Sequence, residues 1–263
     1  MHGHPTEVLR LTLVQTDIVW QSPVQNKQRI ASLLANIVGT TDVIVLPEMF
    51  TTGFTMQPEQ WSESTEGPTW QWMKALAVEK QAAVVGSVAI EEDGSYYNRL
   101  YWVMPDGTTY TYDKRHLFTL AGEHLHYCAG TDRLVVDFKG WRIMPLVCYD
   151  IRFPVWSRNN SGYDLLLYIA NFPDRRGHAW RSLLMARAIE NVAYTVGLNR
   201  VGMDGNGVYH AGDSMLIGFD GRIHAHLPAR EWVEQVTITK QPLLDFRDRM
   251  SFLNDSDEFT IKT

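Results

Sequence analysis

The chain has little cysteine. Two residues of 263, Cys128 and Cys148, cannot supply a disulfide framework, so apolar burial must hold the fold together. It also lacks any apolar run near the roughly 18 residues that a membrane-spanning helix needs. It has no excess of basic residues: the net charge is −6, whereas a nucleic-acid-binding face needs a positive balance. The opening residues, Met1-His2-Gly3-His4-Pro5-Thr6-Glu7, lack the charged and apolar regions of a secretory signal. The expectation is a cytoplasmic protein with reduced thiols, contacting neither membrane nor nucleic acid. Asn159-Asn160-Ser161 and Asn254-Asp255-Ser256 are then chance matches to a glycosylation triplet. A Gly-x-Ser-x-Gly elbow and a His-Glu-x-x-His pair are absent too, which sets aside two common hydrolase chemistries.

What is present is an ordinary globular composition, 45% apolar, with nine tryptophans. No linker, repeat or low-complexity tract divides it, so one domain over residues 1–263 is expected. Strand patterns cover residues 9–14, 43–46, 83–90, 99–104, 108–112, 134–138, 142–147, 164–170, 193–198, 214–219 and 233–238. Ser22-Pro23 and Gly67-Pro68 each open a helix. Residues 179–192 form a third helix, and residues 243–252 a terminal helical segment. Pro105-Asp106-Gly107 and Asp220-Gly221 are hairpin turns. Residues 115–131 read as a polar loop. Mixed strands and helices with several hairpins imply an α/β fold of two packed sheets covered by helices.

Three ionisable residues recur at one kind of place. Glu48 follows the strand 43–46, Lys114 follows 108–112, and Cys148 ends 142–147. If those strands lie side by side and point the same way, their ends form one cluster. A thiol is only a few per cent thiolate at neutral pH. A carboxylate can take its proton, and an ammonium can stabilise the sulfur and an oxyanion. Together they are a toolkit for acyl transfer from an amide. Each residue also has a plainer reading: a core cysteine, and a solvated glutamate and lysine.

Leu46-Pro47-Glu48-Met49-Phe50, Asp113-Lys114-Arg115-His116-Leu117-Phe118 and Val147-Cys148-Tyr149-Asp150-Ile151-Arg152-Phe153-Pro154 resemble the three signature segments of the nitrilase (carbon–nitrogen hydrolase) superfamily, in its order and at its separations. Asn171-Phe172-Pro173, Ala186-Arg187-Ala188-Ile189-Glu190-Asn191, Asn199-Arg200-Val201-Gly202 and Gly212-Asp213-Ser214 extend the likeness over nearly the whole chain. The resemblance implies a four-layer α-β-β-α sandwich, a homodimer, and no metal or organic cofactor. It implies Glu48 as general base, Cys148 as nucleophile, Lys114 as stabiliser of the tetrahedral intermediate, and the Tyr149 backbone N–H as an oxyanion donor. Glu123, seven residues before Gly130, takes the place of a second glutamate that orients Lys114 or the attacking groups; its plainer reading is a loop carboxylate.

Within that superfamily the sequence is most similar to the omega-amidases, on His116-Leu117-Phe118, Glu123-His124-Leu125-His126-Tyr127 and Pro154-Val155-Trp156-Ser157-Arg158-Asn159. Such enzymes hydrolyse the terminal amide of 2-oxoglutaramate or 2-oxosuccinamate, so the substrate is a small amide with a carboxylate at its far end. Arg152 is the first candidate to hold that carboxylate, because a guanidinium can bind it bidentately; the competing role is a structural pair with Asp150. Phe172 and Phe54 are candidate pocket walls or simply core. Arg175-Arg176 is a second candidate pair for the carboxylate, or a solvated loop. A sister activity on another amide, a carbamoyl group, a nitrile or deaminated glutathione would use the same reacting residues. A catalytically idle binding homologue is the alternative of another class. His124-x-His126-x-Cys128 would put three metal ligands on one strand face, but a fourth is not evident. Gly202-Met203-Asp204-Gly205-Asn206-Gly207 reads as a loop, because no helix signal follows it. Arg187 and Glu190 read as a packed pair.

Overall fold

A computed structural model of the chain describes residues 7–262. It begins with β1 (Val8–Gln15), α1 (Pro23–Ala35), β2 (Val43–Val45), the one-turn α2 (Pro58–Trp61), β3 (Glu63–Ser64) and α3 (Pro68–Lys80). Next come β4 (Ala83–Glu92), β5 (Ser95–Val103), β6 (Thr109–Asp113), β7 (Val136–Phe138), β8 (Trp141–Val147), β9 (Leu165–Ala170) and α4 (Gly177–Asn191). The last part holds β10 (Tyr194–Asn199), β11 (Val201–Met203), β12 (Tyr209–Ala211), β13 (Met215–Ile217), β14 (Ile223–His226), β15 (Trp232–Thr239) and α5 (Lys240–Met250). Among the described residues no helix is long and apolar enough to cross a membrane.

Two sheets carry the fold. The first runs β15-β1-β2-β4-β5-β6, with β3 beside β4; the second runs β14-β13-β10-β9-β8-β7. Parallel pairs form the centre of each: β1-β2-β4 in one, β8-β9-β10 in the other. Strands covered on both faces need apolar residues on both, and Leu165–Ala170 is buried at every position. Leu9, Leu11, Leu13, Leu100 and Trp102 of the first sheet share one core with Ile143, Leu146 and Val147 of the second. The Trp102 ring meets Phe138 edge-on across that core, centroids 5.8 Å apart. On the outer face of the first sheet, Ile30 and Leu34 of α1 and Met73, Leu76 and Ala77 of α3 cover Val14, Ile44 and Val84. On the outer face of the second, Trp180 and Leu184 of α4 lie so close to Gly197 that a Cβ there would sit 2.5 Å from Leu184 Cδ1. The result is the expected α-β-β-α order.

The differences from expectation are local. The polar loop 115–131 contains two 3₁₀ turns, Thr119–Ala121 and Glu123–Leu125. His124 therefore lies on a tight turn rather than a strand, and the alternation His124, His126, Cys128 loses its common face. The glycine-rich stretch 202–207 is the turn of a hairpin, β11 against β12. The last helix begins at Lys240, before Pro242, because proline is tolerated in a first turn where no intrahelical bond is lost. The strands bearing Glu48 and Lys114 are not adjacent, since β4 and β5 separate β2 from β6. Two antiparallel steps, β4 to β5 and β5 to β6, bring β6 back to the direction of β2. Their carboxyl ends therefore share one edge of the sheet, and the thiol comes from the other sheet.

Leu100 is fully buried between the sheets. Leu100→Ala should cost about 2–5 kcal/mol, read as a lower urea midpoint with an unchanged m-value.

Candidate active site

The site is built on one buried cation. Lys114 continues β6 by donating its N–H to Asn98 O at 3.0 Å, while Gly130 N–H donates to Lys114 O at 3.0 Å. Gly130 is needed for that approach: a Cβ there would lie 2.1 Å from Asp113 O. The side chain is thus fixed at its root. Its Nζ donates to Glu48 Oε1 at 2.9 Å and to Glu123 Oε1 and Oε2 at 3.0 and 2.9 Å. All three side chains are 0% exposed. Burial alone would lower the Lys114 pKa; Glu123 and then Glu48 outweigh it, and the ammonium is held well above its ordinary range. Glu123 is shifted up, first by burial and also by Glu48, with Lys114 opposing. Asn98 Nδ2 bridges the two carboxylates, 2.8 Å from Glu48 Oε1 and 3.4 Å from Glu123 Oε1.

Each carboxylate is held from a second side. Phe118 N–H donates to Glu123 Oε2 at 2.5 Å. The free oxygen of Glu48, Oε2, accepts the Asn171 N–H at 2.8 Å, and Asn171 Nδ2 reaches Glu48 O at 2.5 Å. Asn171 directly follows β9, so this pair ties the carboxyl ends of the two sheets together. The turn after Glu48 is also strained: Met49 has φ +42°, and its N–H is caught by Ser87 Oγ at 2.9 Å.

Cys148 has φ +44°, an uncommon conformation for any residue but glycine. It ends β8 and opens a 3₁₀ helix, Cys148–Arg152. Strain of this kind persists only where the surroundings over-determine it. Here they do so through Asp150, fully buried. Its Oδ2 accepts from Val147 N–H at 3.0 Å and Tyr112 OH at 2.8 Å. Its Oδ1 accepts the His116 N–H at 3.0 Å, and His116 Nδ1 lies 2.8 Å from the same oxygen. The thiol turn is thereby clamped to the lysine loop. Burial, and next Glu48, push the Cys148 pKa well above the thiol range, and the thiol is hydrogen-bonded to Glu48. It rests protonated, with a carboxylate placed to receive the proton. The Tyr149 N–H lies in the first turn of the 3₁₀ helix, where backbone donors have no partner inside the helix.

A cavity of about 330 Å³ opens above Cys148. Phe54 and Phe172 both line it, with the Phe54 ring 4.9 Å from Lys114 Nζ. Arg152, Arg175 and Arg176 line it as well. Asp150 is committed to Val147, Tyr112 and His116 and makes no pair with Arg152. Arg175-Arg176, for which a solvated loop was one expectation, stands on the cavity wall; the 3₁₀ turn Asp174–Arg176 folds it back over Phe172. Among the described residues no carboxylate lies within ion-pair distance of these three guanidinium groups. Arg187 pairs with Glu190 at 2.8 Å, as its spacing suggested.

The structure therefore gathers Glu48, Lys114, Glu123, Cys148 and Tyr149 at one point and sets Arg152, Phe172 and Phe54 around the cavity above it. Asn98 and Asp150 were missed as site residues. Asn98 lies one residue before the strand expected at 99–104; the structure extends that strand to Ser95–Val103 and buries Asn98 on the face of Leu100 and Trp102. Without Glu123, Lys114 keeps its pair with Glu48, but the Phe118 N–H loses its acceptor. Glu123→Ala should cost about 1–3 kcal/mol, measured by denaturant unfolding of the variant beside the parent.

The chain was compared with known proteins on this footing. Residues 10–247 match the carbon-nitrogen hydrolase family. The omega-amidase YafV of Escherichia coli is 46% identical over 254 residues, 96% of this chain and 98% of that one. The 2-oxoglutaramate amidase of Bacillus subtilis is 32% identical over 250 residues, covering 93% and 96% of the two chains. Among solved structures, a CN-hydrolase superfamily protein of Xanthomonas campestris superposes with a TM-score of 0.94 at 42% identity, over 97% of this chain and 99% of that one. Fold, active-site geometry and sequence agree, and the chain belongs to the carbon–nitrogen hydrolase family of the nitrilase superfamily.

Proposed function

We propose that the protein is an omega-amidase, hydrolysing the terminal amide of 2-oxoglutaramate or 2-oxosuccinamate to the 2-oxo acid and ammonia. The observation that carries this reading is the charge of the cavity. Three guanidinium groups, Arg152, Arg175 and Arg176, line it against the single carboxylate of Asp204, while Lys114 is already paired with Glu48 and Glu123. An amide with a distant carboxylate suits that balance, whereas a neutral amide or a simple nitrile leaves the guanidinium groups unused. Likeness to the E. coli and B. subtilis amidases supports the same substrate class.

The chemistry follows from the protonation states. Glu48 takes the Cys148 proton as sulfur attacks the amide carbon. No resting thiolate is required, which suits a thiol whose pKa is raised by burial. The C–O double bond opens to an oxyanion held by Lys114 Nζ and the Tyr149 N–H. Each such donor contributes about 10²–10³ in rate. Lys114, kept cationic by Glu123 and Glu48, donates without giving up its proton. Glu48 then passes its proton to the amide nitrogen, the C–N bond breaks, and ammonia leaves a thioester on Cys148. Water attacks the thioester with Glu48 again as base, and the thiol is restored. Glu123 acts through Lys114, holding it at the reacting carbonyl. The far carboxylate of the substrate lies against the arginines, Arg152 among them.

The test is ammonia release from 2-oxoglutaramate, beside glutamine, a simple nitrile and an N-carbamoyl amino acid, with Cys148→Ala as blank. Release from the oxo amide that exceeds the others and disappears in Cys148→Ala is the expected result. Preference for one of the others would replace the omega-amidase reading with a sister hydrolase. Turnover surviving in Cys148→Ala would remove the thioester route.

A further inference from the structure

We infer that Arg176, rather than Arg152, is the principal anchor for the substrate carboxylate and so the residue that sets the preference for acidic amides; the inference rests on the omega-amidase reading. Arg176 is the last residue of the 3₁₀ turn that follows Asn171-Phe172-Pro173. Its guanidinium lies 4.9 Å from the Phe118 ring centroid and 5.9 Å from that of Phe172. These rings come from the lysine loop and from the end of β9, so the cation is positioned relative to both halves of the site. Among the described residues it has no side-chain hydrogen bond and no ion pair. Across the cavity, Asp204 is occupied: its Oδ1 accepts the N–H groups of Asn206 and Val208 at 2.8 and 2.9 Å.

The environment separates the two candidates. Arg152 is exposed and touches one ring, Phe172, at 5.8 Å. Charges in open water are screened, and ordering a mobile side chain offsets much of what a pair gains there. Arg176 is half-buried between two rings and loses less freedom when an anion arrives. Burial and then Arg175 lower its pKa, so its charge is carried at a cost that an incoming carboxylate relieves. Cys148, Arg152 and Arg176 line the same cavity, so an anion held by Arg176 shares that space with the thiol. An acid amide bound carboxylate-first on Arg176 would have its other end directed toward Cys148, and Arg152 would then supply a second, weaker contact to the 2-oxo acid head.

The experiment measures kcat and KM of the native enzyme, Arg176→Met, Arg176→Lys and Arg152→Met on 2-oxoglutaramate and on pentanamide, which has no carboxylate. Binding of 2-oxoglutarate to Cys148→Ala, with and without Arg176→Met, is followed by calorimetry. Loss of a charge-assisted contact should reduce the preference for the oxo amide about 10- to 100-fold in Arg176→Met, mainly through KM. Arg176→Lys should fall between, keeping charge but losing the fork, and Arg152→Met should have the smaller effect. Calorimetry should show a matching loss of dicarboxylate affinity. A parallel fall on both amides, or a preference lost in Arg152→Met and kept in Arg176→Met, overturns the assignment. If the native enzyme releases no ammonia from the oxo amide yet binds the dicarboxylate through Arg176, the omega-amidase reading fails and the anchor stands. If the dicarboxylate binds equally with and without Arg176, the anchor fails.

Discussion

The Lys114 ammonium, wholly buried between Glu48 and Glu123, is the interaction on which the rest of the structure depends. A charge taken out of water costs several kcal/mol unless it is paired and hydrogen-bonded. Here one cation meets two carboxylates, so the group as a whole has acceptor capacity to spare. Asn98, Phe118 and Asn171 supply donors to those oxygens. The cluster is thereby stitched to β5, to the lysine loop and to the end of β9. Neither sheet alone can complete it. Packing the two sheets is what closes the cluster, so the folding of the sandwich and the assembly of this buried charge group are one event.

The second constraint is the turn at Cys148. A left-handed conformation at a non-glycine residue presents the thiol away from the strand, toward the cavity. Asp150 holds it there by accepting from the residue before the cysteine, from Tyr112 of β6 and from His116 of the lysine loop. Trp156 Nε1 in turn donates to Tyr112 OH at 3.0 Å, and the His116 ring stacks on Phe153 at 3.7 Å. Cys148 and Lys114 are therefore linked in position. A misplacement of one is transmitted to the other through a single buried carboxylate.

Much of this was legible in the sequence, for a physical reason. Strands buried on both faces read as unbroken apolar runs, and an ionisable group set at a strand end stands out against such a run, as Glu48 and Cys148 do. What could not be read depends on contacts made across the fold. Asn98 serves Glu48 from 50 residues away, and Asp150 serves Tyr112 from 38. Nothing local distinguishes a buried aspartate that clamps a turn from one that pairs with the next arginine. Arg175-Arg176 reads in sequence as a solvated loop before it reads as a carboxylate site, because exposure of a short polar turn is decided by what packs beneath it. Phe118 and Phe172 make that decision here.

On the proposed reading, the electrostatic layout also orients the reaction. Cations line the wall of the cavity, while the two carboxylates sit below its floor, shielded by Lys114. An acid amide approaches with one carboxylate, drawn to the guanidinium groups, and its neutral amide end meets the thiol without repulsion. Hydrolysis replaces that amide with a second carboxylate, formed beside Glu48 and Glu123. Like charges that close in a buried setting repel strongly. On the proposed reading, the same cluster that activates the thiol toward a neutral amide therefore destabilises the acid it produces. The arginines hold substrate and product alike by one carboxylate, and the product's second carboxylate is the weaker fit at the other end.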